Sequence, residues 1–213
     1  MTYRILDLFC CAGGASTGLS RAGFDVTGVD IRPQKHYPFK FIQADALSVA
    51  LEGFDCYWAS PPCQRYSELV PVDHRDKYPD LIDPIRQRLV ATGHPYVIEN
   101  VDGARRLLKN PFRLCGTQFS LNVYRHRWFE LVPEVLDLMP PCDHSKTPVK
   151  VSGRGNKHIN GVRNRSATVV EKREAMGIPY MNLAELTEAI PPAYSEYIGR
   201  LLISILDNQR GKS

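Results

Sequence analysis

The sequence predicts an α/β protein with a doubly wound, mostly parallel sheet. Short apolar segments of strand length alternate with helix-like segments along the chain. The first apolar segment leads into a glycine-containing turn and a helix. Acidic residues and a cysteine follow several predicted strands, at the sheet edge where such folds bind ligands. A length of 213 residues fits one domain over 1–213.

The bulk composition is that of a globular protein. Hydrophobic residues make up 43% of the chain and charged residues 23%, which excludes disordered and fibrous classes. No stretch has the length and apolarity of a membrane span, and the start "MTYRILDLFC" lacks a secretory pattern. We therefore expect a monomeric cytoplasmic protein without membrane contact. Six cysteines without regular spacing indicate reduced thiols.

The secondary structure follows from the apolar pattern. A turn and helix are predicted over 10–23, and a second helical pattern covers 80–93. From Pro192 onward, apolar side chains recur at helix-face spacing, which predicts a final helix packed on the sheet. The predicted strands cover 3–9, 24–30, 39–45, 54–59 and 95–100.

The turn "DLFCCAGGASTG" can bring backbone N–H groups close to a ligand. It lacks the G-x-G-x-x-G spacing, which disfavours a dinucleotide. Asp30, at the end of the second predicted strand, can accept hydrogen bonds from ribose hydroxyls, and Asp45 can accept one from an adenine amino group. The combination suggests an adenosine-containing cofactor without a second nucleotide, and S-adenosylmethionine fits that description.

The stretch "ASPPCQRYSE" raises the question of whether Cys63 is a packing thiol or a nucleophile. Free cysteine is among the most buried residue types. A free thiol with a pKa of about 8.5 is also mostly protonated at neutral pH, so reactivity needs a helix start or a nearby arginine. The two preceding prolines keep the chain extended and favour display of the side chain at the sheet edge.

The motifs together resemble the cytosine-C5 DNA methyltransferase family. The resemblance rests on "DLFCCAGG", "PPCQ", "ENV" at 99–101, "RHR" at 125–127, "MGIP" and "AIPPAYSEYIG", in the family's order. The chain looks like a compact, phage-like member with a much reduced target-recognition region at approximately 132–170. The closing motif and the last helix, within 171–213, are expected to pack back on the core.

The resemblance implies a covalent mechanism. The thiolate of Cys63 would add to carbon 6 of cytosine and activate carbon 5 toward the methyl group. Glu99 would hold the N3 and amino edge of the base. Arg125 and Arg127 match the family's two arginines, and Arg127 is the better candidate for a contact near the base O2.

The resemblance also implies a cofactor site. Phe9 would pack on the adenine, Asp30 would hold the ribose, Asp45 the amino group, and Pro62 would line the pocket. The expected cofactor-binding residues are Phe9, Ala12, Gly13, Gly14, Asp30, Ile31, Asp45, Ala46, Pro62, Ala189 and Ile190.

The implied partner is double-stranded DNA, from which the target base would have to be flipped. The polar loop after Cys63 is expected to close over that base. A net charge of +4 permits a polyanionic partner, and 146–165 holds six Lys or Arg and no Asp or Glu. A small insert suits a site of about two to four base pairs. The expected nucleic-acid contacts are Gln64, Arg65, Ser67, Lys150, Arg154, Lys157, Arg163 and Arg165.

Some residues depart from the family pattern. Cys11 stands where glycine is usual, Val123 replaces the usual glutamine before the arginines, and "TEAI" at 187–190 replaces a glycine-asparagine start. Cys142 and His144 form a C-x-H pair, with His158 further on. No second C-x-x-C unit accompanies them, so we expect no metal.

Three alternatives remain open at this point. A tRNA cytosine-C5 methyltransferase of the same fold would share the nucleophile and glutamate motifs, and phosphate charge attracts a basic segment to either nucleic acid. A non-catalytic nucleic-acid-binding relic would retain only the scaffold. An enzyme acting on free nucleotides, similar to thymidylate synthase, also uses a cysteine beside proline.

Overall fold

A seven-stranded sheet forms the centre of the protein in a computed structural model. The structure describes residues 2–135, 139–151, 158–159, 162–163 and 167–211. The strand order is β3-β2-β1-β4-β5-β7-β6. Strands β1 to β5 pair in parallel, whereas β7 is antiparallel to both β5 and β6. The strands are β1 Arg4–Leu8, β2 Asp25–Asp30, β3 Lys40–Gln43, β4 Cys56–Ala59, β5 Tyr96–Asn100, β6 Phe112–Leu114 and β7 Arg127–Val132. The prediction of a mostly parallel α/β sheet is confirmed.

Five α-helices accompany the sheet in the described part of the chain. The first, α1, begins directly after the glycine turn, and α5 has a proline in its first turn, where the missing N–H breaks no helical hydrogen bond. Three short 3₁₀ helices occupy the loops. The helices are α1 Gly14–Ala22, α2 Ile82–Thr92, α3 Val169–Met176, α4 Leu183–Glu188 and α5 Pro192–Arg210.

The two faces of the sheet bury different helices. Alternate residues of a strand point to opposite faces, so Ile5 and Trp58 pack with α1 and α5 on one face, whereas Leu6 and Tyr57 pack with α2 on the other. All four of these side chains are fully buried. The doubly wound architecture follows from this alternation.

The structure contains elements that the sequence did not predict. Strands β6 and β7 complete the sheet, and α3 and α4 precede the last helix. The basic segment 146–165, whose sequence has neither helical nor strand periodicity, includes a two-stranded ladder of β8 His158–Ile159 and β9 Val162–Arg163. None of the described helices has the length and apolar character needed to cross a membrane.

The sheet also fixes where a ligand can bind. The chain leaves β1 toward β2 on one side and later returns to β4 on the other side of β1. The loops that follow β1 and β4 therefore diverge and leave a crevice at the carboxyl ends of the strands. The glycine turn, Cys63 and Glu99 lie at this edge.

Candidate active site

A single cavity of about 480 Å³ lies at the carboxyl edge of the sheet. It is lined by residues from the loops after β1, β2, β3, β4 and β5, from the start of β7 and from the segment before α5. The predicted site residues that line it are Phe9, Ala12, Gly14, Asp30, Ile31, Asp45, Ala46, Pro62, Cys63, Gln64, Glu99, Arg127, Ala189 and Ile190. The fold thus brings the predicted cofactor residues and the predicted catalytic residues into one continuous space.

The turn after β1 has an unusual backbone. Phe9, Cys11 and Gly13 have φ values of 62°, 45° and 87°, in the left-handed region that favours glycine. The Gly13 N–H donates to the Cys10 carbonyl at 2.9 Å, and the Cys11 N–H donates to Oδ2 of Asp30 at 3.1 Å. Cys11 therefore adopts a glycine-like conformation that a carboxylate from β2 supports.

The glycine turn is closely packed against the segment before α5. A Cβ on Gly14 would lie 2.8 Å from the Ile190 carbonyl oxygen and 3.1 Å from the Ala189 Cβ. Only hydrogen leaves room for this approach. The contact sets the position of Ala189 and Ile190 at the cavity edge, although they are far from the turn in sequence.

The ends of β2 and β3 form the second side of this half of the cavity. Asp30 is buried, and its Oδ1 accepts the Arg32 N–H at 2.9 Å, so both carboxylate oxygens organise the turn. Ile31 lines the cavity with 65% of its surface exposed. Asp45 is exposed, with Oδ1 accepting the Leu47 N–H at 2.8 Å. A flat apolar group with polar edges matches this set of contacts.

The other half of the cavity holds Cys63, Glu99 and Arg127. Glu99 is the penultimate residue of β5, a fully buried strand, and its Oε1 lies 3.1 Å from Nε of Arg127. Burial raises the pKa of the Glu99 carboxyl, and Arg127 and a hydrogen bond from Ser60 oppose this shift. Burial, followed by the charge of Glu99, raises the pKa of the half-buried Cys63 thiol, while Arg127 lowers it.

The loop that carries Cys63 is fixed by a hydrogen bond from the neighbouring strand β5. Asn100, buried at the end of β5, donates from Nδ2 to the Pro61 carbonyl at 2.9 Å and accepts the Val101 N–H on Oδ1 at 2.9 Å. The amide thus joins the loop after β4 to the loop after β5. Cys63 and Glu99 are held at neighbouring strand ends as a result.

Arg125 and Gly13 are not among the described residues that line the cavity. The Arg125 guanidinium donates to the carbonyls of Ala189 and Thr187, each at 2.7 Å. The sequence predicts Arg125 as a catalytic residue, and in the structure its guanidinium contacts the segment before α5. Gly13 supports the turn as the residue preceding α1.

The predicted nucleic-acid residues fall into different settings. Gln64 lines the cavity, and its buried Oε1 has no hydrogen-bond partner among the described atoms. Arg65 donates to the Tyr78 carbonyl at 3.0 Å, and Ser67 accepts the Leu69 N–H at 3.2 Å. Lys150 is exposed. Arg154, Lys157, Arg165 and the side chain of Arg163 lie outside the described residues.

The structure adds site residues that sequence reasoning missed. Asp7 is completely buried at the cavity, where its Oδ2 accepts a hydrogen bond from Ser16 and its Oδ1 has no partner among the described atoms. Burial raises the pKa of Asp7 to about 7. Ser60, which also accepts a hydrogen bond from Trp58 at 3.0 Å, lines the cavity beside Glu99. The only feature of the sequence that could have identified Asp7 and Ser60 is their position near the ends of β1 and β4.

The fold that contains this sheet and crevice is also found in solved structures named as methyltransferases. Three solved structures share it: a prophage-encoded E. coli protein named as a DNA modification methyltransferase, the S. pombe Dnmt2 methyltransferase, and the Entamoeba histolytica methyltransferase EhMeth. Their TM-scores are 0.68, 0.62 and 0.64, at sequence identities of 16%, 16% and 13%. Each comparison covers 97% of this chain and 100%, 99% and 99% of the respective neighbour.

The TM-scores establish a shared fold, and at these low identities the comparisons establish no more than that. A scan against protein-family models gives no match, and a search of curated proteins gives none either.

Proposed function

We propose that the protein transfers a methyl group from S-adenosylmethionine to carbon 5 of a cytosine in double-stranded DNA. The observation that carries this proposal is the single cavity, which joins a glycine turn and two strand-end acids to the group of Cys63, Glu99 and Arg127. A cofactor and a base placed at its two ends would lie side by side.

The residues of the first half fit S-adenosylmethionine. The cofactor's adenine needs an apolar surface and polar edge contacts, which Phe9, Ile31 and Asp45 can supply. Asp30 is placed to accept hydrogen bonds from the ribose, because each carboxylate oxygen can accept more than the one bond it makes to the backbone. When bound, the cofactor supplies an electrophilic methyl group on a sulfonium ion.

The residues of the second half suit activation of a cytosine. Carbon 5 of cytosine is a weak nucleophile, so the Cys63 thiolate adds to carbon 6 and makes the ring enamine-like. The raised pKa of Glu99 makes this carboxyl a suitable donor or acceptor of a proton at N3 of the base. Arg127 holds Glu99 in place and favours the Cys63 thiolate over the thiol.

The covalent step must also be reversed. After carbon 5 has gained the methyl group, solvent water accepts the carbon 5 proton and the carbon 6–Sγ bond breaks with its electron pair returning to sulfur. The N3 proton returns to Glu99, and the aromatic ring re-forms. Cys63 is thereby ready for another cycle. The unpartnered Gln64 oxygen gives the site an additional acceptor for the amino edge of the base.

The loop after Cys63 supports contact with a nucleic acid. Leu69 and Val72 expose 75% and 74% of their surface close to the cysteine. Apolar side chains in such positions can occupy the space left in a base stack when a base is flipped. The short 132–170 segment would supply recognition of about two to four base pairs.

The test is transfer of a radiolabelled methyl group to duplex DNA, with total tRNA in parallel. Cys63→Ala should abolish labelling of DNA while retaining cofactor binding. DNA containing 5-fluorocytosine should trap a covalent complex with wild-type protein, because fluorine cannot leave as the carbon 5 proton does. If only tRNA is labelled, the substrate is tRNA and not DNA. Cofactor binding without labelling of DNA or tRNA would contradict the proposal.

A further inference from the structure

Four potential metal ligands converge outside the cavity. Cys115, His126, Cys142 and His144 each present one ligand atom, and all four atoms lie within 4.8 Å of one another. Cys115 is buried, His126 and Cys142 are half-buried, and His144 is exposed. The sequence showed only the Cys142-x-His144 pair, because the fold brings the other two ligands from separate segments.

The distances match the edges of a tetrahedral zinc site. Zinc bound to sulfur at about 2.3 Å and to nitrogen at about 2.05 Å gives edges of about 3.4 Å between nitrogens and about 3.6 Å between sulfur and nitrogen. The two Nε2 atoms of His126 and His144 are 3.2 Å apart. Cys115 Sγ lies 3.5 Å from His144 Nε2, and Cys142 Sγ lies 3.9 Å from His126 Nε2.

The loops that carry the four ligands are held together by contacts that do not need a metal ion. Gln118 accepts the Cys115 N–H on Oε1 at 2.7 Å and donates from Nε2 to the Pro140 carbonyl at 2.6 Å. The Tyr124 hydroxyl donates to the His144 carbonyl at 3.0 Å, and the two rings stack with centroids 4.0 Å apart. The ligand loops are therefore joined before any ion binds.

We propose that Cys115, His126, Cys142 and His144 bind a structural Zn²⁺ ion. Thiolate and imidazole ligands in tetrahedral arrangement select zinc among the common divalent cations. A site in which the protein supplies all four ligands has no open position for a substrate, so its role is structural. The Arg113 guanidinium donates a hydrogen bond to Cys142 Sγ at 3.6 Å, so one proposed ligand also has a partner outside the group of four.

The location of the four ligands indicates which parts of the chain the ion would join. His126 lies between Arg125 and Arg127 in sequence, whereas Cys142 and His144 belong to the 132–170 segment. The ion would join this short segment to the start of β7, next to Arg127, which lines the cavity. A recognition segment too small for a core of its own would gain its fixed position from the metal.

Zinc content of the full-length protein tests this proposal. Protein purified under reducing conditions without chelators should contain about one Zn²⁺ per chain by mass spectrometry. Cys142→Ala and His144→Asn should each lower the zinc content at matched free zinc, and the double variant should lose it. Cys63→Ala and His94→Asn are the matched controls, since they remove a cysteine and a histidine elsewhere, and should retain the wild-type content.

Two further measurements separate metal binding from a failure to fold. Co²⁺ added to metal-free protein should give the visible absorption of a tetrahedral thiolate site in the wild type and in both controls. A zinc chelator should lower the Tm of the wild type and leave that of the double variant unchanged. Wild-type protein that binds neither Zn²⁺ nor Co²⁺, contains a Cys115–Cys142 disulfide instead, or binds no more of either ion than the double variant would overturn the proposal.

Discussion

Glu99 at the end of β5 and Arg127 at the start of β7 form an ion pair across two antiparallel strands, with Oε1 and Nε 3.1 Å apart. Both side chains line the cavity beside Cys63. The two charges shift the thiol pKa in opposite directions. The pair therefore influences the pKa of the Cys63 thiol as well as the position of the Glu99 carboxylate.

Glu99→Gln should separate thiol reactivity from catalysis. Loss of the carboxylate removes an effect that raises the Cys63 pKa and leaves Arg127 to lower it. Alkylation of Cys63 by iodoacetamide at neutral pH should therefore become faster. Methyl transfer should fall by about 100-fold or more, because the base loses its proton donor. Alkylation and methyl transfer that both fall would contradict this assignment of charges.

Arg127→Met provides the opposite change at the same ion pair. The Cys63 pKa should rise, so alkylation should require a higher pH than in the wild type. Alkylation rates measured across pH 6–10 with labelled iodoacetamide would show the shift. An unchanged profile would mean that Arg127 does not influence the thiol in solution.

Asp7→Asn should change how stability depends on pH. Burial raises the Asp7 pKa from 3.8 to about 7 in the folded protein. Its protonated form therefore favours folding at low pH, and that contribution is lost as pH rises toward and through 7. Between pH 5 and 8, the free energy of unfolding of the wild type should fall relative to the variant by on the order of 2 kcal/mol. Urea denaturation of ligand-free protein at both pH values measures the difference, and parallel curves would refute it.

Gly18→Ala should strongly destabilise the contact between α1 and α5. The added Cβ would lie 2.0 Å from the Pro192 carbonyl oxygen and 2.1 Å from Ser195 Oγ. The helices would have to separate, at a cost of about 3 kcal/mol or more. Gly177→Ala is the control, because its Cβ meets none of the described atoms within 4 Å and only a φ of 68° opposes it. That variant should lose about 1 kcal/mol, and equal losses in thermal unfolding would contradict the packing argument.

Asp30→Ala and Asp45→Ala should differ in their effect on stability. Asp30 is buried and accepts the backbone N–H groups of Cys11 and Arg32, so its loss should lower both Tm and affinity for S-adenosylmethionine. Asp45 is exposed, so its loss should weaken binding with little change in Tm. Calorimetric titration and thermal unfolding of both variants test this, and wild-type affinity in both would remove these acids from the cofactor site.

The sequence predicted the first five strands because each is a short apolar run that ends near a polar residue. It missed β7, in which Glu130 is completely buried and accepts hydrogen bonds from Nε of Arg86 at 2.9 and 3.2 Å. An acid at that position breaks the apolar pattern of a buried strand, and only the three-dimensional pairing explains it. The convergence of Cys115 and His126 with the C-x-H pair was equally invisible, because their spacing matches no local ligand motif.

The undivided cavity has a consequence for the energetics of binding. Because the described residues of both halves line one cavity, each occupant would form part of the surface that the other contacts. The affinities for the two ligands would then be linked, and such linkage is reciprocal. The factor by which bound cofactor increases the affinity for nucleic acid must equal the factor by which bound nucleic acid increases the affinity for cofactor. Occupancy of both ends would thus be cooperative without any movement of the sheet.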